Sequence, residues 1–340
     1  MQTTISRSDP RFDDREVLST LSVAAGCPPL FIYIPTYNRP EALRRQLTCI
    51  SAQRADWPGA MRILVSDNAS TLVTDEDLAS IASEFGVQVR RNPSNIGANA
   101  NIALGFACAQ AHEHLWILSD NDTIGPTGLS LVATQGIRQH ADAIIFSTAA
   151  DSPYDFTHQF ADAWTGIHEN GLISNVIYKA SAFLPHASEA FFYHNTSFPH
   201  LGVLLSALRA RETLSYRVLP SSEMFAPATQ HGEQPGDYRL SHTGMPQLLP
   251  LLPPQQARVF AVMWLRDQGR EFFRQRESFP SIYLASVACI RQYGGFKART
   301  ILSALATRHT LLGRFDSSAK SLGRRFLPDR LKKCIRERGK

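Results

Sequence analysis

Through the first half of the chain, short apolar runs alternate with segments of helical spacing. LFIYI at 30–34 is an apolar run rich in β-formers, and EALRRQLTCI at 41–50 puts Leu43, Leu47 and Ile50 on one helical face. MRILV at 61–65 predicts a second strand and DEDLASIASEF at 75–85 a second helix, with Thr74 and Asp77 spaced as a capping box at its start. VQVR at 87–90 predicts a third strand and NANIALGFACAQA at 99–111 a third helix; LWIL at 115–118 and AIIFS at 143–147 predict two further strands. Buried strands alternating with helices predict an α/β fold, with a mostly parallel central sheet covered by helices on both faces.

Beyond residue 150 the periodicity weakens. One helix is expected around LGVLLSALRARE at 201–212. MPQLLPLLPPQ at 245–255 holds four prolines, cannot form a continuous helix and is expected to be a connector. After it the pattern is all-helical, over 257–275, 281–293 and 298–312, with a last basic stretch to Lys340. The expected divisions are a polar lead-in at 1–28, an α/β half at 29–150, a less regular half at 151–245 and a helical region at 246–340.

Composition narrows the class. Of 340 residues 44% are hydrophobic and 19% charged, which excludes a disordered chain, a coiled coil and a collagen-like fibre. The five cysteines (Cys27, Cys49, Cys108, Cys289, Cys334) are far apart with no CxxC pair, so a reducing cytoplasm is expected and a thiolate zinc site is not. The first residues lack a signal-peptide layout, and no run approaches the ~18 apolar residues of a spanning helix, so a soluble protein is expected. The net charge of +5 conceals an asymmetry. From Arg291 onward fourteen basic residues face three acidic ones, leaving the rest of the chain at −6. Leu322, Phe326, Leu331 and Ile335 recur at near-helical steps among those basic residues. A basic amphipathic helix there suits an anionic membrane surface; no nucleic-acid motif accompanies it.

Ligands of open parallel sheets bind beyond the carboxyl ends of the strands. The four successive strand ends read Pro35-Thr36-Tyr37-Asn38-Arg39, Ser66-Asp67-Asn68, Arg91 to Gly97, and Ser119-Asp120-Asn121-Asp122. Polar turns are common one at a time; four on one rim mark a site. Two carboxylates one residue apart, Asp120 and Asp122, can serve a hard divalent cation that bridges to phosphate oxygens. GxGxxG, GxxxxGK[ST] and GxSxG are all missing, which argues against a dinucleotide fold, a P-loop and an α/β-hydrolase. His112 and His114 could form an HxH pair, but exposed turn histidines are the more ordinary outcome of that spacing.

FIYIPTYNRPEAL, ILVSDNAS, NPSNIGANANIALGFA and LWILSDND, in that order, resemble the successive motifs of family 2 glycosyltransferases with the GT-A fold. LSDND and GLISNVIYKASAF are similar to the abequosyltransferase-like branch of O-antigen and capsule enzymes. The resemblance implies a hexosyl- or deoxyhexosyltransferase moving a sugar from a nucleoside-diphosphate-sugar donor to a glycan or lipid-linked acceptor. It makes 29–150 the nucleotide-sugar half and 151–245 the acceptor half, at the inner face of the cytoplasmic membrane. It places Pro35, Thr36, Tyr37, Asn38 and Arg39 near the nucleotide, Asp67 on the base, and Asn95, Gly97 and Asn101 on the ribose and diphosphate side. Asp120 and Asp122 match the DxD carboxylates for Mn²⁺ or Mg²⁺, with Asp122 the more direct metal ligand. A catalytic base is not evident; Glu189 is the candidate and His200 its rival. A GT-A module that binds nucleotide without turnover and docks on membrane or a partner protein is the alternative.

Overall fold

The computed structural model describes residues 27–137, 140–163, 172–226 and 241–307. Most of the lead-in, and the basic stretch with Leu322, Phe326, Leu331 and Ile335, lie outside them. The chain runs β1 (Leu30–Thr36), α1 (Pro40–Ala52), β2 (Met61–Asp67), α2 (Asp75–Phe85), β3 (Gln88–Arg91), α3 (Ala98–Cys108) and β4 (His114–Ile117). It continues with α4 (Gly128–Leu131), β5 (Ala143–Ser147), β6 (Tyr154–Gln159), β7 (Val176–Lys179), α5 (Ala180–Phe183), α6 (Ser188–Phe192) and α7 (Pro199–Arg211). Last come β8 (Thr213–Pro220), α8 (Ser221–Met224), α9 (Ser241–Gly244), α10 (Pro254–Arg274), α11 (Pro280–Tyr293) and a helical stretch over 295–307.

The strands form one eight-stranded sheet in the order β3-β2-β1-β4-β7-β5-β8-β6. β1 pairs in parallel with β2 and β4, β2 with β3, and β5 with β8; the contacts of β7 and β6 are antiparallel. Alternation along β1 shows why the sheet is covered on both faces. Leu30, Ile32 and Ile34 join one apolar layer with Leu43, Leu47 and Ile50 of α1 and Ile81 of α2. Phe31 and Tyr33 join the other, with Phe106 of α3, Leu204 and Leu208 of α7, and Phe260 and Trp264 of α10. A strand buried on both faces has to be apolar throughout, which is the LFIYI run. The expected α/β architecture with a helical C-terminal region is therefore present.

The capping box at α2 is also present: Thr74 accepts from the Asp77 amide and Asp77 accepts from the Thr74 amide. The proline-rich connector is a 3₁₀ helix, Met245–Leu251, ahead of α10.

Segments on either side of residue 150 interleave. β7 inserts antiparallel between β4 and β5, so the sheet is continuous through both. α3 approaches this sheet closely at Gly105, where an added Cβ would lie 2.9 Å from Tyr33 Cδ1 and 3.1 Å from Ile117. Gly105→Ala should cost about 1–3 kcal/mol by overpacking, read as a lower urea midpoint at unchanged m-value. Among the described residues no helix is long and apolar enough to cross a membrane. Cys27, Cys49, Cys108 and Cys289 are free thiols.

Candidate active site

Register brings the strand ends together. Thr36 at the end of β1 pairs with Asp67 at the end of β2, and the Leu118 amide donates to the Tyr33 carbonyl at 2.9 Å, carrying the β4 chain into Ser119-Asp120. Beyond these ends opens a cleft of about 230 Å³. Of the residues singled out in the sequence, Pro35, Thr36, Tyr37, Arg39, Asn101 and Asp120 line it, joined by Asn68, Ser119 and Ile173.

Asp120 is 4% exposed and both its oxygens are engaged. The Thr36 hydroxyl donates to Oδ2 at 2.7 Å, and Arg39 Nη1 lies 3.2 Å from Oδ1. The ion pair ties the loop after β1 to the end of β4 and keeps the Asp120 charge at the cleft. Asp122 is held differently: the Ser174 hydroxyl donates to its Oδ2 at 2.6 Å. Ser174 Oγ also accepts from the Ser119 amide at 2.9 Å, and its carbonyl accepts from the Trp116 indole at 2.8 Å. Burial pushes the Asp122 carboxyl above its ordinary value, with the Ser174 hydrogen bond pulling the other way.

Asp67 is fully buried. Its Oδ2 accepts from Arg91 Nε at 2.8 Å and from the Ser70 amide at 3.1 Å, while Oδ1 has no hydrogen-bond partner within the protein. Such an orphaned acceptor suits an N–H donor; Asp67 itself is not among the residues that line the cleft.

Asn101 lines the cleft, whereas Asn38, Asn95 and Gly97 do not. Asn38 sits at φ 55, a left-handed conformation that Asn tolerates. Its Oδ1 accepts from the Thr71 and Leu72 amides at 2.7 and 3.0 Å, fastening the loop after β2 to the loop after β1. Asn95 Oδ1 accepts from Asn68 Nδ2 and from the Gly97 amide, and Gly97 takes φ +86 before α3. Asn101 is a hub: its Oδ1 accepts from Ser66 Oγ at 2.7 Å and Asn92 Nδ2 at 3.0 Å, and its Nδ2 donates to the Ser66 carbonyl at 2.9 Å. The Tyr33 hydroxyl donates to its carbonyl at 2.8 Å.

The candidate bases lie elsewhere. Glu189 is half-buried on α6, near His186, and does not line the cleft. His200 is fully buried at the start of α7, its ring edge-on to Phe198. His112 is exposed, whereas His114 is buried and pushed down to about 4 by desolvation and by Lys179. Both were expected as exposed turn histidines, and His114 is not, because β4 carries it between β1 and β7.

Sequence reasoning gave no role to Ser174, Arg91, Asn68 or Asn92. Their signal was only their position, since each is defined by a partner on another strand end.

Residues 31–187 match glycosyl transferase family 2. The matched segment runs from β1 to just before α6, and every strand end of the cleft falls inside it. Among curated proteins none matches the chain. Among solved structures, S. aureus TarS 1-349 in complex with UDP-GlcNAc is similar at 13% identity over 74% of this chain and 73% of that one, with a TM-score of 0.44. The mannosyltransferase PcManGT from Pyrobaculum calidifontis, in complex with GDP-Man and Mn²⁺, is similar at 12% identity over 86% and 84%, with a TM-score of 0.40. A mycobacterial protein is similar at 11% identity over 66% and 76%, with a TM-score of 0.44.

Among the described residues no group of three or more His, Cys, Asp or Glu encloses a cation. A cation of the Mg²⁺ or Mn²⁺ type held by one or two carboxylates and substrate phosphates needs no such group. Of the two carboxylates at the end of β4, Asp120 lines the cleft, whereas Asp122 does not and its Oδ2 is held by Ser174.

Proposed function

We propose that this protein is a GT-A glycosyltransferase that moves a hexosyl or deoxyhexosyl group from a nucleoside-diphosphate-sugar to a glycan acceptor. The observation that carries the reading is Asp120, buried at the cleft and fixed by Arg39 and Thr36, within the segment that matches family 2. Tyr37, Asn68 and Asn101 would shape the nucleotide side, and the free Oδ1 of Asp67 would take a base N–H. Asp120 and Asp122 would hold Mn²⁺ or Mg²⁺, which supplies charge stabilisation of the departing nucleoside diphosphate. We place the protein in the abequosyltransferase-like branch, with a lipid-linked acceptor of cell-surface polysaccharide synthesis. The work would be done at the inner face of the cytoplasmic membrane, with the basic C-terminal stretch on anionic lipid.

Two outcomes test the chemistry. In Ser174→Ala the hydrogen bond that lowers the Asp122 carboxyl is gone, so its pKa, already raised, rises further. Cation binding needs the carboxylate, so metal-dependent nucleotide binding is lost as pH falls, and at a higher pH in the variant than in wild type. Calorimetric titration across the acid range checks the order. Glu189 lies outside the donor cleft, so it acts as base only on an acceptor seated over α6. On that reading Glu189→Gln lowers transfer by about 10²-fold while leaving nucleotide affinity unchanged, and equal turnover would remove Glu189.

A binding module without turnover is the second reading, favoured by the cleft lining, in which Asp120 is the one carboxylate among the described residues. Hydrolysis of the nucleotide-sugar to nucleotide and sugar, measured without acceptor, separates the two: steady release supports the enzyme, and none supports the module.

A further inference from the structure

A basic feature of the described residues lies away from the cleft. A second cavity, of about 330 Å³, opens between the end of α7, the proline-rich turn before α10, and the turn after α11. Arg209, Arg258 and Arg299 line it, with no acidic side chain among its lining residues, and it shares no residue with the cleft. Arg209 donates to the Pro250 carbonyl at 3.3 Å, which fixes it at the wall. Arg258 and Arg299 have no ion-pair partner among the described residues.

One further feature shapes the site. Gly295 stands at φ +72, and a Cβ there would lie 3.1 Å from Arg258 Cγ, so the absence of a side chain leaves room for the arginine stem. Three guanidiniums converging on one cavity with no carboxylate beside them favour an anion. Arginine forks match the tetrahedral oxygens of phosphate.

We propose that this cavity binds a phosphate group, at a site separate from the donor cleft. Such a group has two sources, a soluble phosphate or a phospholipid headgroup. Phe296 is 84% exposed directly after Gly295, and Val259 and Met263 are half exposed on α10 beside Arg258. Exposed apolar side chains next in sequence to lining residues accompany a headgroup better than a free ion.

The test uses the full chain in three forms: wild type, Arg258→Gln/Arg299→Gln, and the charge-matched control Arg266→Gln/Arg270→Gln. One arm measures stabilisation by inorganic phosphate; the other measures sedimentation with vesicles of phosphatidylcholine, alone or mixed with phosphatidylglycerol. A headgroup site predicts about thirtyfold weaker binding to the anionic vesicles in the first pair, with the control near wild type. A soluble-phosphate site predicts a rise in Tm with phosphate that only the first pair loses. If the two pairs behave alike in both arms, the cavity is no phosphate site. Nucleotide binding measured on the same preparations stands or falls separately, because the cleft residues are untouched.

Discussion

Asp120→Asn should lower kcat for sugar transfer by about 10²–10³-fold while nucleotide affinity without metal changes little. Asparagine keeps the volume and can still accept from Thr36, so the fold of the rim survives. What disappears is the charge. Asp120 is buried, its carboxylate faces Arg39 at 3.2 Å, and the departing diphosphate would develop its charge at the same cleft. A cation clamped there by one fewer carboxylate stabilises that charge less. Steady-state kinetics at saturating Mn²⁺ measure the effect, and a kcat within a few-fold of wild type would remove Asp120 from the chemistry.

Asn101→Ala should destabilise the protein by about 3 kcal/mol. The side chain accepts from Ser66 and Asn92, donates to the Ser66 carbonyl, and is 1% exposed. Truncation takes the acceptor from the buried Ser66 hydroxyl and one of two acceptors from the buried Asn92 amide, and each unmade bond there costs desolvation. Thermal unfolding would show a Tm lower by roughly 4 °C. The same residue resembles a ribose- and diphosphate-side group of the family, and it lines the cleft. If stability is unchanged and only nucleotide affinity falls, Asn101 is a ligand contact and not the hub that joins β1, β2 and α3.

Where a strand is buried on both faces, its sequence announces it. LFIYI, MRILV, LWIL and AIIFS each became a strand, because two covered faces demand an unbroken apolar run. β6 escaped notice for the opposite reason. It is an edge strand whose Tyr154, Asp155, Phe156 and Thr157 face solvent, so no period marks it. β8 does alternate, with Leu214, Tyr216 and Val218 buried, but it follows α7 after a single residue and reads as the tail of that helix.

The rim of the site was legible for a related reason: strand ends can be located once strands can. Thr36, Arg39 and Asp120 were found that way and converge in the structure. Partners between strand ends were not. Nothing local ties Arg91 to Asp67, 24 positions apart, or Ser174 to Asp122, 52 apart, and only the sheet order brings them within reach.

The most direct measurement is calorimetric binding of UDP, GDP, CDP and dTDP, each with and without Mn²⁺, to wild type and Asp122→Ala. The account predicts that one nucleotide binds, that Mn²⁺ strengthens it, and that the gain from Mn²⁺ disappears in the variant. Absence of binding by all four, in a protein that unfolds cooperatively, would contradict a nucleotide-sugar site at the ends of β1, β2 and β4.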